Sequence, residues 1–91
     1  MTMPYFKPLT AVIRRKVREA LNMAPGYGKS EGQLLELVRE LSGGPVDLQD
    51  LRDARDWNHE QGYVRRERED ESEQLLWYIT PAGIAKQKSL T

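Results

Sequence analysis

The sequence predicts an α+β domain in which three helices are followed by a two-stranded antiparallel hairpin and a short closing helix. Three observations carry this. Apolar residues recur at helical spacing in three separate stretches between Leu9 and Asn58. Each stretch is bounded by capping or helix-breaking residues. After Gly62 the pattern changes to the shorter period of strands, is interrupted by a polar turn, and ends at Pro81.

The first helix is expected from Thr10 to about Met23. The Thr10 hydroxyl can accept from a free first-turn amide. Leu9, Val12, Ile13, Val17, Ala20 and Leu21 make one apolar stripe, with Arg14, Arg15 and Arg18 mostly outside it. Pro25-Gly26-Tyr27-Gly28 ends this helix in a turn or short extended link. Ser30 opens the second helix and forms an S-x-x-Q capping box with Gln33. Leu34, Leu35, Leu37, Val38 and Leu41 give it a wide stripe, and Ser42-Gly43-Gly44-Pro45 stops it. Asp47 caps the third helix, with Asp50 placed to reach back. Leu48, Leu51, Ala54 and Trp57 or Asn58 turn inward, and Gly62 closes the helix in the left-handed conformation.

The strands are expected over Tyr63 to Arg68 and Gln74 to Thr80. In the second, Leu75, Trp77 and Ile79 share one face, and Leu76, Tyr78 and Thr80 the other. Glu69-Asp70-Glu71-Ser72-Glu73 forms the polar tip, and Ala82 to Lys88 a last short helix. Trp57 and Trp77 are expected to meet in the core. The segment Pro4-Tyr5-Phe6-Lys7-Pro8 is expected to pack over the domain or a second subunit. In outline, 1–9 is an arm, 10–83 the domain, and 84–91 a short helix or tail.

The 91 residues suit one domain. The absence of cysteine excludes disulfides and thiolate metal sites. The start lacks a signal-peptide layout, and no apolar run approaches the roughly 20 residues of a membrane span. A cytoplasmic protein with no membrane partner is expected. Fourteen basic residues balance 14 acidic ones, but unevenly. Residues 1–30 carry six bases against one acid, and residues 31–62 three against eight. Such an arrangement fits a local phosphate contact, head-to-tail self-association or simple solvation.

Three helices leading into a hairpin, the last two helices separated by a short Gly-Gly-Pro turn, is the order of a winged helix-turn-helix domain. Two junctions are similar to those of many winged-helix regulators: Gln61-Gly62-Tyr63-Val64 into the wing, and Ile79-Thr80-Pro81-Ala82-Gly83 out of it. Ala24-Pro25-Gly26-Tyr27, then Ser30 to Leu35, then W-x-x-E-Q-G-Y from Trp57 to Tyr63, resemble the small winged-helix proteins of Mu-like prophages. The resemblance implies a regulator-like protein whose role in that family is mostly unassigned. Two positions depart from it. Asn58 stands where a leucine is usual, and Tyr63 where the strand usually opens with leucine.

The resemblance implies double-stranded DNA as the partner and a role as a phage-type transcription regulator or accessory factor. The third helix argues against the usual major-groove mode. Asp47, Asp50, Asp53 and Asp56 fall at every third position, and carboxylates oppose phosphate neutralisation. The row has three readings: solvated or intramolecular, a docking face for a basic protein, or a lining of the DNA contact. The route to DNA that avoids it uses Arg65, Arg66 and Arg68 at the base of the wing, assisted by Lys29, Gln49 and Arg52. Beside five hairpin acids, those three arginines more often form cross-strand ion pairs. The alternative function is protein docking or homodimerisation through Asp50, Asp53 and Asp56. No catalytic, cofactor or small-molecule constellation stands out. His59 is the single histidine, and Gly28-Lys29-Ser30 lacks the phosphate-loop glycine required at position 23, which is Met23.

Overall fold

The computed structural model describes residues 8–90, so the expected packing of the Tyr5-Phe6 arm lies outside the described residues. The elements are α1 (Thr10–Asn22), α2 (Glu31–Ser42), α3 (Leu48–Glu60), β1 (Val64–Arg68), β2 (Leu75–Ile79) and α4 (Pro81–Lys88). This is the winged helix-turn-helix order that the sequence predicts.

Most boundaries fall where the cap chemistry puts them. Ser30 accepts from the Gln33 amide, and Gln33 Oε1 accepts from the Ser30 amide, a reciprocal capping box on α2. Asp47 and Asp50 do the same for α3. Gly43 and Gly62 follow α2 and α3 with φ of 65° and 78°, the left-handed region that glycine tolerates. α1 begins at Thr10 as expected, but its cap differs. Leu9, not Thr10, is its N-cap, without a side-chain cap bond, and Thr10 is the first helical residue. Leu9 therefore lies outside the apolar stripe and is 74% exposed.

The hairpin pairs Val64 with Ile79, Arg66 with Trp77 and Arg68 with Leu75 on one face, and Arg65 with Tyr78 and Glu67 with Leu76 on the other. The link after α1 is extended at Lys29, whose amide and carbonyl exchange two 2.9 Å bonds with those of Trp77. The sheet thus gains a third edge on the far side of β2.

The core is built from Ile13, Val17, Ala20 and Leu21 of α1, Leu34 and Val38 of α2, Val46, Leu51 and Ala54, and Val64, Trp77 and Ile79 of the hairpin. Leu35, Leu37 and Leu41 are only half-buried against it. The two tryptophans do not play the paired role expected of them. Trp77 is the core tryptophan, whereas Trp57 is half-buried, 6.1 Å from the Tyr63 ring and under the Arg14 guanidinium at 4.4 Å. Trp57 precedes the inward-facing Asn58 by one residue, so the helix turns it to the flank.

Arg18 also departs from expectation, being only 2% exposed. Its Nη1 donates to Asn58 Oδ1 and its Nε to Gln87 Oε1, both at 2.9 Å. Asn58 is fully buried and donates through Nδ2 to the carbonyls of Arg14 and Ala54. Burial pushes the Arg18 pKa down, and the Tyr63 ring, 5.5 Å from the guanidinium, lines its other side. The buried, polar Asn58 is the partner that lets Arg18 be buried.

The exit from the wing is explained residue by residue. Thr80 Oγ1 donates to the Gly62 carbonyl and accepts from the Gly83 amide, capping α4, while Pro81 fits a first turn that needs no amide. Gly83 passes so close to the Tyr63 carbonyl that an added Cβ would lie 2.1 Å from its oxygen.

Gly83→Ala is accordingly expected to cost about 3 kcal/mol by overpacking. Gly32→Ala, where an added Cβ meets nothing within 4 Å, is expected to be neutral or stabilising. Asn58→Leu alone strips a buried guanidinium of its partner and is expected to cost about 3 kcal/mol or more, whereas Arg18→Met with Asn58→Leu restores most of it. Urea unfolding of the four variants checks all three expectations.

Candidate nucleic-acid interface

The charges of α3 are sorted by where the core holds the helix. Leu51, Ala54 and Asn58 face inward. At 3.6 residues per turn, a step of three residues turns the helix by about 300°, so the aspartate row winds around α3 and does not line one face. Asp47 and Asp50 are taken by the capping box. Asp53 accepts from Gln49 Nε2 at 2.8 Å, and Asp56 accepts from Arg55 at 3.3 Å. The outward face carries Gln49, Asp53, Asp56 and Glu60, all exposed. Two arginines of α1 are engaged elsewhere: Arg18 pairs with Asn58, and Arg14 lies over Trp57.

The opposite edge of α3 is basic. Arg52, Arg55 and His59 fall on one side at helical spacing and turn towards the hairpin. Arg55 lies 4.2 Å over the Trp77 ring, and His59 meets that ring edge-on at 6.1 Å. Between this edge, the start of α2 and β2 runs a cleft lined by Ser30, Glu31, Gly32, Arg52, Arg55 and Trp77.

Glu31, the first residue of α2, occupies the cationic part of the cleft. Its carboxylate accepts from Arg52 Nε at 2.9 Å and Arg52 Nη2 at 3.0 Å, and from Arg55 Nη1 at 2.9 Å. The Arg52 hydrogen bonds, joined by those from Arg55 and the charge of both guanidiniums, hold its carboxyl at a pKa of about 2. Neither Glu31 nor Arg55 was marked by sequence reasoning. The usable signal is an acid in the first helical position of α2 facing two arginines three residues apart on α3.

The sequence-predicted contact residues are only partly brought together. Arg52 lines the cleft, and Arg66 reaches the same tryptophan, its guanidinium 5.9 Å from the Trp77 ring. Strand alternation sends Arg65 to the other face, stacked 4.3 Å over Tyr78 and paired with Glu67. Arg68 donates to the Glu73 carbonyl near the tip. Cross-strand ion pairs do not form on the ladder, because the residues opposite the arginines are Tyr78, Trp77 and Leu75. Lys29 joins the sheet by its backbone, while its side chain lines a separate hollow with Gln33, Glu36, Leu37 and Glu40. Gln49 is held on the outward face by Asp53.

Among the described residues no group of histidine and acidic side chains is placed to hold a metal ion, and no helix is long and apolar enough to cross a membrane.

The element order and the two-stranded hairpin are those of a winged helix-turn-helix domain. Among solved structures, the chain is similar to a transcriptional regulator of the MarR family from Silicibacter pomeroyi, at 26% identity and a TM-score of 0.72. The match covers 87% of this chain and 48% of that one, so the chain spans about half the length of that regulator. It is also similar in fold to SSV1 F-93, at 18% identity and a TM-score of 0.60, over 99% of this chain and 92% of that one. No protein-family model and no curated protein sequence matches the chain.

The depressed Glu31 pKa has a definite sign. Its stabilising contribution is complete above the unfolded value near 4.3 and is lost as pH falls through about 2. A carbon-detected titration of the Glu31 carboxyl is expected to show a midpoint near pH 2, and Arg52→Ala to move that midpoint up towards the usual glutamate range.

Proposed function

We propose that the chain is a DNA-binding winged-helix module that grips the duplex through its phosphates, as a transcription regulator or accessory factor. The observation that carries this is the division of charge on α3. Its hairpin-side edge presents Arg52 and Arg55 beside the wing arginines, and its outward face presents Asp53, Asp56 and Glu60. Base readout in the major groove favours Arg, Lys, Asn and Gln, and the outward face offers Gln49 alone among acids. Phosphate contacts from Arg66 with Arg52 and Arg55 beside it, and from Arg65 and Arg68 along the wing, position a protein on DNA without specifying a base. Binding of this kind is salt-dependent and of low sequence preference.

The unit responsible is residues 10–83 together with the rest of α4, which Gln87 ties to Arg18. Likeness to a regulator supports the DNA reading, and the Trp57–Tyr63 motif supports a phage-type, cytoplasmic setting. A second reading has its own support. The exposed carboxylates of Asp53 and Asp56, with Asp50 nearby, suit docking to a basic protein surface or to a second copy of the chain.

Fluorescence anisotropy with a mixed-sequence duplex at about 50 mM salt separates the two. On the DNA reading, Arg65→Ala with Arg66→Ala is expected to weaken binding about tenfold or more and to flatten the salt slope by about 2. Asp53→Asn with Asp56→Asn is expected to strengthen it several-fold. An absence of binding at this salt would exclude the DNA reading. Loss of self-association or partner capture in the Asp53/Asp56 variant would then favour docking.

A further inference from the structure

We infer that Arg52 and Arg55 form a phosphate-binding site which Glu31 fills from within, so that a DNA phosphate engages them only by displacing the Glu31 carboxylate. The inference deepens the DNA-binding reading and rests on it for the identity of the ligand.

The argument begins with shape. A carboxylate and a phosphate offer a guanidinium the same pair of oxygens, and the Arg52 fork holds both Glu31 oxygens through Nε and Nη2. Arg55 is fixed rather than mobile. Its side chain is 12% exposed, lies 4.2 Å over the Trp77 ring and sends Nη1 to the same Glu31 oxygen that Arg52 Nε uses. Two guanidiniums thus converge on one anion position.

Access and position point the same way. The Glu31 side chain is 35% exposed at the mouth of the cleft. Its neighbour Gly32 is exposed and has open space where a Cβ would stand, leaving room for a bulky polyanion. Arg66 of the wing lies at the same tryptophan, so a backbone following the wing passes the mouth. Glu31 also sits in the first turn of α2, where an anion is favoured by the helix dipole, and a phosphate in its place inherits that advantage. Glu31 therefore sets the affinity threshold of the module.

The test uses the full chain as wild type, Glu31→Gln, Arg52→Ala and the double variant. Duplex binding is read by anisotropy, and the Arg52 and Arg55 Nε–H signals are followed by NMR with pyrophosphate as a DNA-free probe. Glu31→Gln is expected to bind the duplex about tenfold tighter, with a salt slope steeper by about 1 to 2. The gain is expected to vanish in the Arg52→Ala background. Pyrophosphate is expected to move both arginine signals in Glu31→Gln at concentrations that leave wild type unchanged.

If the wild-type chain binds the duplex and Glu31→Gln binds it no tighter, or if the arginine signals of Glu31→Gln ignore pyrophosphate, Glu31 is a strut and the inference is wrong. If pyrophosphate moves those signals while no variant binds DNA, the site stands and the DNA reading falls. If the duplex binds through the wing and the Arg52 signal stays fixed in Glu31→Gln, the DNA reading stands and the site falls.

Discussion

A guanidinium held in the interior by neutral oxygens sets the geometry of this domain. Arg18 of α1 is satisfied by Asn58 of α3 and Gln87 of α4, with Tyr63 at the head of the wing beside it. Removing a charge from water is costly, and the cost rises steeply if any partner moves away. The bond network therefore ties the three helices and the hairpin junction at one point. It also fixes the rotation of α3, because Asn58 is anchored to the Arg14 carbonyl as well. Sliding or turning α3 would break bonds that no water replaces.

The proposed DNA-contacting surface follows from that rotation. With Leu51, Ala54 and Asn58 inward, Arg52, Arg55 and His59 must face the hairpin and Asp53, Asp56 and Glu60 must face out. A helix that is acidic in sequence is thus two-sided in space. The side next to the wing is cationic, and its cations are held by Trp77 and Glu31. A winged helix with this polarity is suited to following a phosphate backbone rather than to reading the bases of a major groove.

Much of the fold was legible because its signals are local. The capping boxes of Ser30 with Gln33 and Asp47 with Asp50, and the left-handed glycines 43 and 62, depend on a few neighbouring residues. The start of α1 at Thr10 was legible but its cap was not, since a threonine can cap a helix or begin it and sequence alone does not choose. Arg18 was misread because periodicity marks a charged residue as a surface residue, and its partners lie 40 and 69 positions away. The same holds for the site. Arg52 was recognisable as a cation, but its neutralisation by Glu31, 21 residues upstream, is a tertiary fact. Only the pairing register reveals that Arg65 and Arg66 point to opposite faces of the wing.

The central claim, that the cationic edge of α3 and the wing meet DNA while the acidic face stays out, is tested most directly by backbone NMR of labelled protein with a mixed-sequence duplex at about 50 mM salt. The expected result is a set of shifts at Arg52, Arg55 and the β1 arginines that disappears as salt is raised. Shifts centred on Asp53, Asp56 and Glu60, or no shifts at millimolar DNA, would contradict it.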